Sequence, residues 1–366
     1  MSTSVKEIEK TKVRKDKKDE LLLDSLEIKG YRCFEHLTIE KLGRVNLIVG
    51  ENNVGKTALL EALWIWCEGS AWDYVVDTLK QILTRRNEKS LGELHEDGKE
   101  YRHLFYNRPQ KDSFQFSISN RKPISRIREE WEEIEATISG KKPPVDEDMV
   151  GVGIEINRKG GIFSTNPTEH KRRIFHKDIN NLFVETRGLD IELANEIWEE
   201  ITYKIQEDAV EKALRIILPK LVDINFISYP KGAKNRVPVV RVEGINERVP
   251  LKSLGEGMNH LLEIALTLVK CENGVLLTDE IESGLHYSVL LGVWRLIFRM
   301  ARELNVQVFA TTHSSDCVKA FQRAAEEDKE DEAILIRLVQ KGDKIKAVLF
   351  DEKELETVVE NDIEVR

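Results

Sequence analysis

Residues 50–57, GENNVGKT, have the residue types and spacing of a phosphate-binding loop. They match the pattern G-x-x-x-x-G-K-[ST] completely, and glycines let such a loop curl so that backbone N–H groups point at phosphate oxygens. We expect Lys56 to reach the β- and γ-phosphates of a nucleotide and the Thr57 hydroxyl to ligate Mg²⁺. Further contacts to the nucleotide are expected from the rest of the loop and the start of the helix: Gly50, Glu51, Asn52, Asn53, Val54, Gly55 and Ala58.

The segments on either side of this loop have the character that the motif requires. Residues 45–49, VNLIV, are almost entirely apolar and predict a strand that is buried on both faces. Residues 58–66, ALLEALWIW, are strong helix formers and bulky apolar residues, which predict a buried helix. A strand before the loop and a helix after it favour a functional phosphate loop over a chance match in a glycine turn.

Two carboxylates end a second apolar segment, VLLTDE at residues 275–280. At the carboxyl end of a buried strand, Asp279 can hold the shell of a Mg²⁺ ion, directly or through water. Glu280 is then placed to orient or deprotonate an attacking water. Acidic residues also end strands simply because loops are polar, but the phosphate loop upstream favours the catalytic interpretation.

A histidine ends a third apolar segment, VQVFATTHS at residues 306–314. An imidazole at the end of a neighbouring strand can donate a hydrogen bond to a γ-phosphate. A lone histidine is more often a structural residue. Because His313 follows the Asp279–Glu280 pair in the same kind of strand, we expect it to act in catalysis together with Glu280 and Lys56.

The segment SLGEGMNHLL, residues 253–262, combines a glycine-bearing turn with the start of an apolar helix. The simplest interpretation is a helix start, in which Met258, Leu261 and Leu262 are buried. A serine hydroxyl, backbone N–H groups and a helix N-terminus are also possible donors to an anion. The residues alone leave open whether this turn contacts a nucleotide.

The remaining pattern predicts an α/β fold with a mostly parallel core sheet, an antiparallel β-lobe and a helical insertion. Segments 113–119 and 151–166 alternate as lobe strands, and residues 72–86 have the pattern of an amphipathic helix. Between the lobe strands, PISRIREEWEEIEATIS predicts a charged helix, and residues 192–220 predict a second helical stretch. We expect a disordered charged tail over 1–20 and one nucleotide-binding domain, here called the head, which is interrupted by an insertion. The N-terminal half of the head covers 21–120, the inserted β/helical arm covers 121–220, and the C-terminal half of the head covers 221–366.

Composition indicates a cytoplasmic protein that does not enter a membrane. No apolar run approaches the roughly 18 residues that span a bilayer, and the N-terminus has no secretory signal. The four cysteines form no CxxC pair, and the net charge of −9 argues against a globally basic nucleic-acid binder. Local basic clusters at Arg85-Arg86, at 171–173 and in the tail leave contact with DNA or a partner open.

Four ordered segments resemble an ABC-type ATPase of the SMC/RecF-like branch, and most closely the stand-alone AAA ATPases of the overcoming-lysogenization-defect (OLD) family. They are IKGYRCFEHLTIEKLGRVNLIVGENNVGKTALLEAL, PLKSLGEGMNHLLEIAL, GVLLTDEIESGLHYSVL and QVFATTHSSDCVKAF. The resemblance implies Mg²⁺-dependent ATP hydrolysis by two subunits that close head to tail. It gives Ser253, Gly255 and Glu256 the role of the signature motif, which contacts the γ-phosphate held by the other subunit. Leu254 departs from the double glycine of transporters and repair ATPases.

The resemblance also leaves several assignments open. His286 either faces the partner subunit or starts a helix, Arg32 either approaches the nucleotide base or is a surface residue, and the glutamine of the Q-loop is unassigned. Its candidates are Gln81, Gln110 and Gln115. We expect no built-in TOPRIM nuclease domain of the kind found in OLD nucleases. Only 53 residues follow His313, and the strand and helix that complete the ATPase take part of them, whereas added domains usually have about 50 to 200 residues.

The biological role that the resemblance implies is an ATP-driven switch. Such a switch would work as a homodimer or higher oligomer with a separate effector protein, in anti-phage defence or toxin–antitoxin-like control. One alternative is a RecF-like repair protein that clamps DNA when ATP is bound. Another is a scaffold stabilised by nucleotide, against which the complete set of Lys56, Asp279, Glu280 and His313 argues.

Overall fold

The computed structural model describes most of the chain in separate ranges. These are residues 21–68, 72–86, 103–107, 113–119, 133–139, 153–158, 161–163, 179–204, 206–228, 236–328, 333–351 and 354. The predicted charged tail over 1–20, Gln110 and the basic cluster at 171–173 lie outside them. Among the described residues, no helix is both long and apolar enough to cross a membrane.

The strands and helices are numbered in chain order. The strands are β1 Leu26–Tyr31, β2 Phe34–Ile39, β3 Val45–Val49, β4 Ser113–Ser119, β5 Glu133–Ser139, β6 Gly153–Arg158, β7 Gly161–Phe163, β8 Asn181–Val184, β9 Leu221–Ser228, β10 Arg236–Val242, β11 Val249–Pro250, β12 Val275–Thr278, β13 Gln307–Thr311, β14 Ala333–Lys341 and β15 Lys344–Phe350. The helices are α1 Lys56–Cys67, α2 Trp72–Arg85, α3 Ile191–Tyr203, α4 Glu207–Arg215, α5 Glu256–Lys270, α6 Leu290–Glu303 and α7 Ser315–Asp328.

The central sheet has the strand order β15-β14-β3-β13-β12-β8. All neighbours from β14 to β8 are parallel, and only β15 is antiparallel, in a hairpin with β14. Along each buried strand, alternate side chains enter two different cores, so Leu47 and Leu276 lie in one while Ile48 and Leu277 lie in the other. One core contains residues of α1, α2 and strands β1, β2 and β4, and the other contains residues of α3 to α7, which confirms the predicted α/β class.

The β-lobe is an antiparallel sheet in the order β2-β1-β4-β5-β6-β7. It confirms the lobe predicted from segments 113–119 and 151–166. The prediction of a charged helix was wrong over Glu133–Ser139, which forms β5 instead. In EIEATIS the apolar residues alternate at Ile134, Ala136 and Ile138, and this period of two matches the pairing of β5 with both β4 and β6. Pairing with two neighbours outweighs the helix propensity of the glutamates.

The predicted insertion over 121–220 contributes to three different parts of the structure. Its strands β5 to β7 extend the lobe, β8 joins the central sheet beside β12, and α3 and α4 pack against α5. The predicted helical stretch 192–220 is divided, since α3 ends at Tyr203 and α4 begins at Glu207. The N–H of Gln206 bonds the carbonyl of Ile201 over 3.0 Å, which closes the end of α3. The domain boundaries themselves stay a prediction.

Candidate nucleotide site

Four parallel strands bring the predicted chemical groups to one edge of the central sheet. The phosphate loop follows β3, the Asp279–Glu280 pair follows β12, and His313 follows β13. Glu185 follows the fourth strand, β8. Because β3, β13, β12 and β8 are adjacent and run in the same direction, their carboxyl ends meet at this edge. Ligands of open α/β sheets bind in the crevice outside these strand ends.

The phosphate loop has the backbone geometry that its glycines permit. Gly55 has φ +97° and a Cβ there would lie 2.5 Å from Cys33 Sγ, so both the conformation and the space require glycine. Lys56 is 6% exposed, and its Nζ donates to the carbonyls of Gly50 at 2.8 Å and Glu51 at 2.9 Å. The N-cap residue of α1 is Gly55, which has no side chain to bond the first N–H groups of the helix, so these are suited to an anion.

The electrostatic surroundings of Lys56 have opposing effects on its charge. Burial lowers the pKa of the Lys56 amine, and the carboxylates of Asp279, Glu280 and Glu282 act in the opposite direction. The amine thus lies in a desolvated position, and its charged form is stabilised there by hydrogen-bond acceptors and by negative charge. A polyanion such as a phosphate chain would supply both at this point.

Asp279 is the centre of the predicted metal site. Thr57 Oγ1 donates to its Oδ2 at 3.0 Å, and Thr311 Oγ1 donates to its Oδ1 at 2.5 Å. The two residues predicted to ligate Mg²⁺ are therefore in contact. Hydroxyl and carboxylate oxygens are the ligands Mg²⁺ prefers, and it commonly takes only one or two carboxylates because phosphates and water complete its shell. This donor set fits Mg²⁺.

Glu280 and His313 face each other beside this centre. His313 Nε2 lies 3.6 Å from Glu280 Oε1, and both side chains are 40% exposed. The backbone of Glu280 has φ +50° and its N–H donates to Thr311 Oγ1 at 2.8 Å. The loop that carries His313 after β13 is held by Glu282. Its Oε1 accepts from the N–H groups of His313 at 2.9 Å and Ser314 at 3.1 Å. Sequence reasoning gave Glu282 no such role.

A cleft of about 780 Å³ opens beside the phosphate loop. The loop and His313 form part of its lining, and a second group of residues faces them: Arg32, Cys33, Arg86, His103, Phe105 and Asn107. Arg32 therefore lies on the nucleotide side of the hairpin between β1 and β2. Its Nε contacts Glu61 Oε2 at 2.7 Å, and Arg86 Nε contacts Glu61 Oε1 at 2.8 Å. Glu61 is 2% exposed, so two guanidinium groups compensate one buried carboxylate.

The turn at Ser253–Glu256, which we call the signature turn, lies apart from this cleft. Ser253 and Gly255 are exposed, and Ser253 Oγ donates to the Pro250 carbonyl at 2.7 Å. Gly255 has φ +118°, and within the described part of the chain no atom lies within 4 Å of a Cβ placed there. Glu256 begins α5. The structure thus brings together the loop, Asp279, Glu280 and His313 but leaves the turn on a separate open surface.

Two assignments left open by the sequence take a definite place. His286 starts the short 3₁₀ turn Tyr287–Val289, where its Nδ1 accepts from the Ser288 N–H at 3.4 Å, and its ring packs on Tyr287. Gln81 lies exposed on α2 and Gln115 lies on β4, so neither is at a strand end of the central sheet.

Glu185, which the sequence analysis did not select, is the polar residue after β8. Its Oε1 contacts Arg85 Nε at 2.8 Å, and the Arg85 guanidinium lies 4.6 Å from the Trp64 ring and 4.2 Å from the Phe183 ring. Burial lowers the pKa of Arg85, while Glu185 is the largest opposing influence. The basic pair Arg85-Arg86 is therefore engaged with carboxylates of the chain itself.

The fold and the site together define an ABC-type AAA ATPase of the SMC/RecF-like kind. Three comparisons support this class. The family described as "AAA domain, putative AbiEii toxin, Type IV TA system" matches residues 45–316, and the chain belongs to that family. The match includes the phosphate loop, the signature turn, the Asp279–Glu280 pair and His313.

Individual relatives and solved structures give the same picture. A Helicobacter pylori protein named ATP/GTP phosphatase is 22% identical over 342 residues, which cover 84% of this chain and 89% of the relative. The DNA replication and repair protein RecF of Bacillus mycoides is 32% identical over 78 residues, covering 18% of this chain and 21% of RecF.

Two Smc head structures share the fold. One, bound to the C-winged helix domain of ScpA, has a TM-score of 0.52 at 14% identity and covers 91% of this chain and 99% of its own. The other, which carries an extended coiled coil and is bound to the C-terminal domain of ScpA derived from Pyrococcus furiosus, has a TM-score of 0.52 at 11% identity and covers 93% and 99%. At these identities the likeness concerns the fold alone.

Proposed function

We propose that the protein is a Mg²⁺-dependent ATP hydrolase whose two copies close head to tail on ATP and separate after hydrolysis. The observation that carries this proposal is the hydrogen-bonded group around Asp279, which contacts Thr57 of the phosphate loop and Thr311 of the histidine strand. Three separate segments of the chain converge there with oxygen donors suited to a metal–phosphate complex.

The described side chains have distinct roles in this reaction. Lys56, held by the carbonyls of Gly50 and Glu51, turns its remaining donor capacity toward the phosphate chain. Thr57 and Asp279 would hold Mg²⁺, which would neutralise charge on the phosphate oxygens. Glu280 orients a water and accepts its proton. His313 Nε2, 3.6 Å from the Glu280 carboxylate, donates to the oxygen on which negative charge develops.

The exposed signature turn supports the head-to-tail arrangement. The N–H groups at the start of α5 lie outside the cleft of the same chain, and so does the Ser253 hydroxyl, which would have to turn from the Pro250 carbonyl to donate to an anion. A helix N-terminus that faces solvent is suited to an anion delivered by another molecule. Two copies related by a twofold axis would each place this turn on the other's phosphate loop, because a twofold interface repeats every contact twice.

Glu280→Gln tests the catalytic assignment. We expect turnover to fall by at least about 10² because the general base is lost, while ATP binding survives and ATP-bound dimers accumulate on size-exclusion chromatography. Glu303→Gln is the matched control, since Glu303 is an exposed residue at the end of α6, near the opposite end of β13. Hydrolysis by Glu280→Gln at the wild-type rate would show that Glu280 is not the base.

For the biological role we propose that the ATP-driven switch controls a separate effector, in toxin–antitoxin-like control or anti-phage defence. The family description, which includes a putative toxin of a type IV toxin–antitoxin system, supports this proposal. Four cysteines without a disulfide fit action in the reducing cytoplasm. Pull-down of the Glu280→Gln protein with ATP tests it, and we expect a protein that is released when ADP replaces ATP.

The match to RecF favours one second candidate, an ATP-dependent DNA clamp. This function predicts DNA affinity that appears with ATP and falls steeply as salt rises, because each neutralised phosphate releases counterions. The pairing of Arg85 with Glu185 and of Arg86 with Glu61 removes one basic cluster from such a surface. A DNA-binding titration of the Glu280→Gln protein with ATP at two salt concentrations separates the candidates.

A further inference from the structure

Helix α5, which begins at the signature turn, contacts the segment after β12 that carries Glu280. His260 lies in the second turn of α5, and its Nε2 donates to the carbonyl oxygen of Ile281 at 3.1 Å. Ile281 directly follows Glu280, the proposed base. One hydrogen bond therefore connects the exposed turn at Ser253–Gly255 with the backbone that carries the base.

Glu263, one turn further along α5, extends this connection. Its Oε2 lies 3.4 Å from His260 Nδ1 and 3.3 Å from the N–H of Leu189, which donates to it. Gly188 approaches so closely that a Cβ there would lie 2.5 Å from Glu263 Oε2. Because Gly188 and Leu189 belong to the loop that follows β8, α5 contacts the loops after both β8 and β12.

The backbone at Glu280 is held from two sides. Its φ of +50° is unusual for a residue with a long side chain and needs support from its surroundings. On one side Thr311 accepts the Glu280 N–H through Oγ1 at 2.8 Å and the Ile281 N–H through its carbonyl at 3.1 Å. On the other side the Ile281 carbonyl receives His260. The orientation of Glu280 thus depends on the position of α5.

We propose that His260 is a positioning residue, which transmits engagement of the signature turn to Glu280. When a nucleotide held by a second copy draws the start of α5 toward it, His260 moves the Ile281 carbonyl and thereby aligns the base. This inference rests on the proposed head-to-tail dimer and adds to it the route by which binding at one surface controls chemistry in the cleft of the same chain. His260 is not among the residues that line the cleft beside the phosphate loop.

His260→Leu removes the hydrogen bond and keeps the bulk, and His260→Gln keeps an amide donor at a similar reach. We expect His260→Leu to lower kcat about tenfold, the effect of one lost hydrogen bond expressed in the transition state. The KM for ATP should stay within about twofold, because the substrate contacts are intact. In the Glu280→Gln background, His260→Leu should still form ATP-bound dimers, and His260→Gln should regain most of the lost rate.

His36→Leu is the matched control, since His36 also contacts a carboxylate, Glu27 at 2.7 Å, but lies exposed on β2. It should leave kcat unchanged. The inference is overturned if His260→Leu hydrolyses ATP at the wild-type rate, if the leucine and glutamine variants are equally slow, or if the leucine variant loses dimer formation together with turnover. A wild-type protein that forms no ATP-dependent dimer would instead overturn the proposed function, so the two failures are distinguishable.

Discussion

Thr311→Val is the substitution that tests the site geometry in most depth. The Thr311 hydroxyl is fully buried, donates to Asp279 Oδ1 at 2.5 Å and accepts from the Glu280 N–H at 2.8 Å. Valine has nearly the same shape but offers neither bond. The variant therefore removes the shared partner of the proposed metal ligand and the proposed base without creating a large cavity.

The expected cost follows from the two bonds. The bond to the Asp279 carboxylate contributes about 1.5–3 kcal/mol, and the neutral bond from the Glu280 N–H about 0.5–1.5 kcal/mol. Asp279 keeps its second donor, Thr57, so the loss stays below the sum of the upper values. We expect the free energy of unfolding to fall by about 2–3 kcal/mol and kcat to fall at least about tenfold, since both groups shift in the site.

Urea unfolding followed by circular dichroism measures the first quantity, and steady-state ATP hydrolysis measures the second. Thr267→Val is the matched control, because Thr267 is 1% exposed but its hydroxyl donates only to the Ile264 carbonyl within α5, at 2.9 Å. The control should lose less than about 1 kcal/mol. A Thr311→Val protein with wild-type stability and wild-type turnover would refute the account of how Asp279 and Glu280 are held.

Three further predictions concern charged groups. Lys56→Met should abolish the stabilisation that saturating ATP gives, about 2.7 kcal/mol at 100 times Kd, which a melting experiment with and without ATP measures. Burial lowers the pKa of Lys56 in the folded protein. Between the pKa of Lys56 in the folded protein and its higher pKa in the unfolded chain, only the unfolded chain binds the proton. The free energy of unfolding of the wild type should therefore rise with pH in this alkaline window, and that of Lys56→Met should not. Glu61→Gln should cost about 3 kcal/mol in urea unfolding, since it leaves two paired guanidinium groups without their buried carboxylate, and equal stability would contradict the pairing. Hydrogen bonds from Lys204 and Lys270 lower the pKa of Glu200. Glu200→Gln should therefore lower the free energy of unfolding by less than about 1 kcal/mol at neutral pH, and should not lower it below the pKa that Glu200 has in the folded protein. A loss of stability that does not change with pH would exclude the ion pairs.

The sequence predicts the middle of the central sheet well because three of its strands are mostly apolar. Residues 45–49, 275–278 and 307–311 are buried at every position, and each is followed by a polar or glycine residue that marks the strand end. The order of these strand ends in the sheet brings Lys56, Asp279, Glu280 and His313 together, as the sequence analysis expected. Their individual roles in hydrolysis stay predictions.

Other features of the structure depend on contacts between distant residues, which no local sequence pattern predicts. The glutamate-rich segment before Ser139 favours a helix by composition, and only pairing with β4 and β6 makes it a strand. Glu185 follows a strand of four residues, too short to stand out in the sequence. The pairing of Glu61 with Arg32 joins a helix and a hairpin, and the His260 bond joins two segments 21 residues apart. Such contacts are fixed by packing, not by local propensity.

The central claim is that the signature turn of one copy completes the nucleotide site of another. Mixing two inactive proteins, Ser253→Arg and Glu280→Gln, tests it most directly, because a mixed dimer pairs the intact base of the first with the intact turn of the second. In an equal mixture half of the dimers are mixed and each has one complete site, so we predict ATP hydrolysis well above the sum of the parents, up to about a quarter of the wild-type rate. Hydrolysis equal to the sum of the parents would contradict the claim.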